Sequence, residues 1–379
     1  MKALFWVDNI PAMEMFAPIM DALPDKWEVA FVNYGRAEYE GCKMLRKRNR
    51  ESILDMICRE SPDIMALTRE EATPVEKMLT QIGKETGIPT LLVPHGMLMS
   101  NEVELWEIKD SKLFRLKHII RLARQGYRQL RQGKVTIPHL VRQGLFRIRN
   151  DFRDKKTLSR YDNFSKVAVF GEAMKYILLR YGVAQDNIVI TGNPKFDMTY
   201  REKQKTKTGD ILLITNYLVE FGTWTEKQRE KYVKDVLEVA DIMEKRLLVK
   251  IHPVNERIKD YERMDCDIEI FQTQPLAEII SWCGIAITTM STGGLEVMAS
   301  GKPLVVYNPY NDITQYSEKS GAYVARNKVE LLSVIEDIVN NGMNEEKEKL
   351  ADEFVYQQAY LQDGKASERI AKLIEEMVE

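Results

Sequence analysis

The chain has 379 residues, 44% of them hydrophobic and 30% charged, with 20 Gly and 13 Pro. That length allows two domains that each bury a core, and the composition is that of a soluble globular protein, which excludes a small disulfide scaffold, a disordered chain and a collagen-like one. Cys42, Cys58, Cys266 and Cys283 lack CxxC spacing and the histidines number 4, so neither a disulfide framework nor a clustered zinc site is expected, and a reducing compartment fits best.

In chain order, the N-terminal stretch MKALFWVDNIPAMEMF has too short an apolar core for a signal peptide, and nowhere do eighteen apolar residues follow one another. The expectation is a cytoplasmic protein that spans no membrane. Short apolar runs at Ala3–Val7, Trp27–Val32, Asp63–Leu67, Thr90–Val93, Val167–Phe170 and Ile188–Thr191 predict strands, and helical periodicity predicts helices near Ala12–Leu23, Asn49–Glu60, Thr73–Thr86 and Glu172–Tyr181. Strands alternating with helices predict a parallel sheet with crossover helices.

A basic insertion breaks this rhythm after the fourth of those strands. Residues 109–160 hold 16 Lys or Arg against 3 Asp or Glu, although the whole chain has a net charge of −2. Leu116, Ile120, Ala123, Tyr127 and Leu130 recur at helical spacing, with Lys117, Arg121, Arg124, Arg128 and Arg131 beside them one residue out of phase, and Ile137–Arg149 continues the mixture. Such a surface suits peripheral contact with an anionic membrane, where each basic residue near the headgroups contributes about 1 kcal/mol. A solvated face packed on its own domain and an anionic polymer are the alternatives. Nucleic acid is disfavoured by the lack of a recognition motif and of interleaved aromatic residues.

The polar stretch Thr199–Gly209 predicts a linker. Beyond it the rhythm restarts, with strands expected at Ile211–Thr215, Leu247–His252, Ile268–Phe271, Ile285–Thr289, Leu304–Tyr307 and Ala322–Ala325, and helices near Thr225–Lys245, Pro275–Trp282, Gly293–Ser300 and Lys328–Asn340. The last stretch, Glu345–Glu379, reads as helical and heavily charged. The expected organisation is therefore an α/β chain of two Rossmann-like domains, residues 1–200 carrying the insertion 109–160 and residues 209–345, with a helical segment 346–379 packing across both.

Four motifs could carry chemistry. In IAITTMSTGGLEVMASGKPLVVYN, Ile285–Asn308, a strand ends in small hydroxyl residues and two glycines before a helix opens near Gly294. Free backbone N–H groups there are expected to favour an anion, with Thr289, Ser291, Thr292, Gly293 and Gly294 around a phosphate and Glu296 near ribose hydroxyls. In LLVKIHP, Leu247–Pro253, a strand delivers Lys250 and His252 to the same sheet end, where a cation and a donor can neutralise a leaving phosphate without a metal. PHGM, Pro94–Met97, places His95 at a strand end as a candidate general base, and GVAQDNIVITGNPKFD, Gly182–Asp197, brings Asn193 to the end of another strand. Asp265-Cys266-Asp267 resembles a metal motif but precedes its strand, so it reads as a solvated loop. No GxGxxG, Walker, HExxH or GxSxG pattern occurs.

Taken in order, these motifs resemble the GT-B glycosyltransferase superfamily, and particularly its branch of CDP-glycerol glycerophosphotransferases, capsule polysaccharide transferases and UDP-N-acetylglucosamine 2-epimerases. The resemblance implies two facing Rossmann-like domains with a cleft between them, the second binding a nucleotide donor through Lys250, His252, Ser291, Thr292, Gly293, Gly294 and Glu296, with Thr289 and, from the first domain, Asn193 as further donor-site candidates. His95 matches a histidine read as base in the glycerophosphotransferase branch. The stretch YNPYNDITQY, Tyr307–Tyr316, is similar to a donor-contacting loop and adds Asp312 and Tyr316.

The implied activity is a metal-independent, inverting transferase that needs no cofactor. It would move a sugar or sugar-like group from a UDP-, CMP- or CDP-linked donor to a lipid-linked or surface-polysaccharide acceptor at the inner membrane face. Asp8 and Glu14 are reserve candidates for the base. Epimerisation is the alternative, although LLITNYLVEFG replaces that family's His-Arg-Glu-Asn motif.

Overall fold

The structure, a computed structural model, describes residues 1–7, 10–33, 43–45, 51–69, 74–94, 161–180, 182–203 and 209–379. Within these residues the chain divides into two compact units, one from parts of Met1–Met99, Lys155–Tyr200 and Tyr356–Glu379, the other from parts of Arg201–Val355.

The first unit holds a parallel sheet of β1 (Lys2–Val7), β2 (Glu28–Asn33), β3 (Met44–Leu45), β4 (Ile64–Leu67), β5 (Thr90–Leu92), β6 (Lys166–Val169) and β7 (Ile188–Ile190), in the order β3-β2-β1-β4-β5-β6-β7. Its helices are α1 (Ile10–Ala22), α2 (Ile53–Glu60), α3 (Pro74–Thr86), α4 (Glu172–Arg180) and α5 (Pro194–Lys203). β1 is apolar from Ala3 to Val7 because helices cover both faces of a parallel sheet; Phe5 stacks on Phe16 at 4.6 Å and meets Phe31 edge-on at 5.6 Å. α2 opens on a capping box in which Ser52 Oγ accepts from Asp55 N and the Asp55 carboxylate accepts from Ser52 N.

Two elements here differ from the sequence expectation. β3 is two residues long, too short to show an alternation. α5 extends through Thr199–Lys203, the first part of the expected linker, because Pro194 sits well at a helix start and Phe196 buries itself in the unit. What is left of that linker, residues 204–208, lies outside the described residues.

The second unit holds β8 (Asp210–Ile214), β9 (Leu247–Lys250), β10 (Glu269–Phe271), β11 (Cys283–Thr288), β12 (Leu304–Tyr307) and β13 (Tyr323–Ala325), all parallel, in the order β10-β9-β8-β11-β12-β13. Numbered within the unit this is 3-2-1-4-5-6, the doubly wound order, which reverses between β8 and β11. Its helices are α6 (Leu218–Phe221), α7 (Glu226–Ile242), α8 (Ile258–Glu262), α9 (Leu276–Trp282), α10 (Gly293–Ala299), α11 (Lys328–Asn341) and α12 (Glu345–Ala359), the last of these up to Val355, with its residues from Tyr356 in the first unit. All six strands expected from the second half form, with ends moved by a residue or two. The short helices α6 and α8 carry too few residues to show a helical period.

The C-terminal stretch folds as two helices. After α12 the chain turns through Tyr360 and Gly364, both in the left-handed region at φ 61° and 72°, into α13 (Ala366–Val378). α13 packs in the first unit, where Ile370, Leu373 and Ile374 join Phe16 and Ile19 in the core. Its first turn is capped by the buried Asp197, whose carboxylate accepts from Ala366 N at 3.0 Å, Ser367 N at 2.8 Å and the Ser367 hydroxyl at 2.7 Å. No helix among the described residues is long and apolar enough to cross a membrane.

Candidate functional site

Because every strand of the second sheet runs the same way, all the carboxyl ends share one edge. β9 and β11 each pair with β8, which puts them two strand spacings apart, roughly 10 Å. The loops after β8 (Thr215–Tyr217), after β9 (Ile251–Glu256) and after β11 (Thr289–Thr292) therefore meet around the point where the strand order reverses, the place where doubly wound sheets hold ligands. His252 and the glycine-opened helix α10 lie on this same edge. Asp265-Cys266-Asp267 precedes β10, at the opposite edge, with both carboxylates on exposed residues.

The expected strand Leu247–His252 ends at Lys250, so His252 stands in a turn rather than in the sheet. Its Nδ1 accepts from two backbone N–H groups of that turn, Val254 at 3.2 Å and Asn255 at 3.1 Å. The ring is edge-on to Tyr217 at 4.7 Å. Burial first, and the positive Lys250 second, hold the imidazole pKa below its ordinary value. The ring is thus neutral, with its proton on Nε2, and can donate a hydrogen bond but has no acceptor nitrogen left for base catalysis.

Lys250 is not an outward cation. It is 8% exposed, and its ammonium donates to Gln272 O at 2.7 Å, tying β9 to the loop after β10. A lysine at this strand end stays buried because backbone carbonyls surround its head.

The loop after β11 is more self-contained than its glycines suggest. Ser291 N donates to Thr288 Oγ1, Gly293 N to Ser291 Oγ, Gly294 N to Ser291 O and Leu295 N to Thr292 O. The N–H groups expected to be free for an anion are drawn into tight turn bonds, a consequence of α10 starting in a turn of 3₁₀ type. The hydroxyls of the half-buried Ser291 and the exposed Thr292 remain on the rim, with Glu296 half-buried one turn in. Thr289 is 3% exposed and its hydroxyl donates to Tyr307 O, so it braces β11 against β12.

Tyr316 and Asp312 also act as braces. Tyr316 is buried, donates to Ser291 O at 2.7 Å and lies so close under Gly294 that a Cβ there would sit 2.9 Å from its hydroxyl. Glycine at 294 is what lets this tyrosine clamp the loop. Asp312 accepts from Trp224 Nε1 at 2.7 Å, and burial raises its pKa against that hydrogen bond.

In the first unit, Asn193 is buried and its Oδ1 accepts from Lys195 N, while Glu14 is exposed and paired with Lys195 at 3.1 Å. Thr191 O accepts from Arg369 Nε at 2.6 Å and Gly192 packs against that guanidinium. With Asp197 capping α13, the TGNPKFD motif is occupied in seating the C-terminal helix. Asp8, His95, Lys117, Arg121, Arg124, Arg128 and Arg131 lie outside the described residues.

Sequence reasoning missed Tyr217 and Glu256, which contact His252, and Thr215, which donates to Glu256. The one signal for Glu256 is its place four residues after His252 in HPVNE, which has no meaning until the turn is closed.

Comparison with solved structures establishes the fold. UDP-GlcNAc 2-epimerase from Methanocaldococcus jannaschii, in complex with UDP-GlcNAc and UDP, is similar at TM-score 0.57 and 16% identity, over 99% of this chain and 100% of that one. The Neisseria meningitidis enzyme bound to UDP-GlcNAc is similar at 0.60 and 14%, over 99% and 100%. The wall teichoic acid polymerase TagF with CDPG is similar at 0.60 and 11%, over 100% and 88%. No curated protein matches the chain. The architecture is GT-B. A family model described as CDP-Glycerol:Poly(glycerophosphate) glycerophosphotransferase matches residues 108–376, more than half of the chain. The chain belongs to this family and is a transferase.

Proposed function

We propose that this protein moves a glycerophosphoryl or glycosyl group from a CDP-, UDP- or CMP-linked donor to a hydroxyl of a lipid-linked or surface-polysaccharide acceptor, with no divalent metal. The observation that carries the reading is the family match across residues 108–376, which includes the whole doubly wound unit with His252 and α10 on one strand edge. The bond from donor group to nucleotide phosphate breaks, and the acceptor oxygen forms the new one. The acceptor proton passes to a base, a role the sequence gives to His95. A glycosyl donor attacked in this way inverts. Negative charge growing on the leaving nucleotide phosphate is met by the Nε2–H of neutral His252 and by the rim hydroxyls of Ser291 and Thr292.

The test is a panel of UDP-, CMP- and CDP-linked donors, each with and without acceptor and with EDTA. Acceptor-dependent release of nucleotide that survives EDTA is the expected result. An altered sugar stereocentre without acceptor would establish epimerisation instead, and binding without turnover would reject catalysis.

The basic stripe Lys117, Arg121, Arg124, Arg128 and Arg131 supports peripheral attachment to an anionic leaflet, where a lipid-linked acceptor is confined. Changing the four arginines to glutamine is expected to release the protein from phosphatidylserine vesicles in a flotation assay. Undiminished binding would reject the attachment.

A further inference from the structure

Glu256 belongs to none of the recognised motifs, yet it is 1% exposed at the centre of the turn that carries His252. Its Oε2 accepts from the His252 backbone N–H at 2.7 Å and from the Thr215 hydroxyl at 2.6 Å, and its Oε1 accepts from the Tyr261 hydroxyl at 2.5 Å. Thr215 is the first residue beyond β8, and Tyr261 lies on α8 beneath the guanidinium of the buried Arg229, 5.1 Å from the ring centre. One carboxylate thus joins the ends of β8 and β9 to α8. A buried carboxylate persists only where its lone pairs are met, and here the three donors come from three separate elements.

We propose that Glu256 is a positioning residue for His252. By gripping the His252 N–H it holds the turn in the form that directs the Val254 and Asn255 N–H groups onto Nδ1, and so keeps the imidazole a neutral Nε2–H donor. The proposal rests on the reading of His252 as the donor to the leaving phosphate. The charged and titratable groups around the ring are Lys250 on β9, Tyr217 after β8 and Glu256 itself, with Glu220 acting on Glu256 from α6.

Glu256→Leu removes every acceptor at similar volume. Glu256→Gln keeps an oxygen for His252 N and Thr215 and turns its amide toward the Tyr261 oxygen. Both are compared with the full-length wild type on whichever donor it turns over. For Glu256→Leu, kcat is expected to fall on the order of 10²-fold, with KM moving less. The acid limb of kcat/KM should move up from its wild-type position, because Nδ1 is released to bind a proton while burial and Lys250 are unchanged. Glu256→Gln should restore both.

A Glu256→Leu protein whose kcat falls only with its folded fraction by circular dichroism, with the acid limb unmoved, would overturn the proposal. So would a Glu256→Gln variant as damaged as the leucine one. If Glu256→Leu does not fold, Glu256→Asp, which withdraws the carboxylate from the turn, is read in the same way. Full activity in His252→Ala would instead overturn the underlying reading of His252, and that result is separate from either Glu256 outcome.

Discussion

His252→Ala loses group transfer, with kcat/KM falling by on the order of 10²–10³-fold, the effect of deleting one donor aimed at developing charge. The fold survives the change. The ring is half-buried, and the N–H groups it leaves behind belong to an exposed Val254 and a half-buried Asn255 that water can reach, a cost of about 1 kcal/mol. Thermal unfolding beside steady-state kinetics separates the two quantities, and unchanged turnover would remove His252 from the site.

The same residue sets a pH dependence whose sign follows from its environment. Burial and Lys250 hold the folded pKa below the ordinary 6.5, so between those two values the unfolded chain binds more protons than the folded one. The stability and the donor function that depend on neutral imidazole are complete above pH 6.5. The stability is lost as the pH falls from 6.5 through the lowered value, when a proton on Nδ1 displaces the Val254 and Asn255 N–H groups, and the orientation of the Nε2–H donor is lost with them although the imidazolium still carries that proton. The acid limb of kcat/KM is accordingly expected below 6.5. An NMR titration of the His252 ring itself, which separates it from the base assigned to His95, at or above that value would sink the assignment of a neutral donor.

The second large effect concerns stability. Asp197→Ala removes three hydrogen bonds at the start of α13 and leaves buried donors without partners, at a cost of about 2–4 kcal/mol. Asp197→Asn retains one good acceptor oxygen and costs less, about 1 kcal/mol. The readout is hydrogen exchange across residues 366–378, since α13 contributes Ile370 and Ile374 to the first core and its loosening is local before it is global. Exchange as slow in Asp197→Ala as in wild type would show that the apolar face alone holds the helix. Because Asp197 lies in the TGNPKFD motif, this experiment also shows whether that motif is occupied by structure in this chain.

The strand and helix elements were legible because their signals are local. Ala3–Val7 and Ile211–Ile214 are continuous apolar runs, as strands covered on both faces must be, and Thr225 with Gln228 or Asn327 before α11 announce helix starts within four residues. Elements of a few residues, β3, α6 and α8, escaped because nothing shorter than a period can show one. His252 and the STGG turn could be placed at strand ends from sequence, and the parallel order of the second sheet brings them to one edge.

The roles of the side chains there were decided elsewhere. Lys250 reads as a cation for phosphate until the loop after β10 folds over it and takes its ammonium on Gln272 O. Tyr316 reads as a donor contact until it is found beneath Gly294, and Glu256 does not register at all until β8 and α8 bring it Thr215 and Tyr261. From sequence alone came the two α/β halves, the order of their strands along the chain, the basic stripe and the family likeness, all of which are written in neighbouring residues or in the run of the motifs. Tertiary structure alone decided which polar groups at the strand edge are spent on the protein itself, because a hydrogen bond between residues dozens of positions apart leaves no mark on either stretch until the sheet has set them side by side.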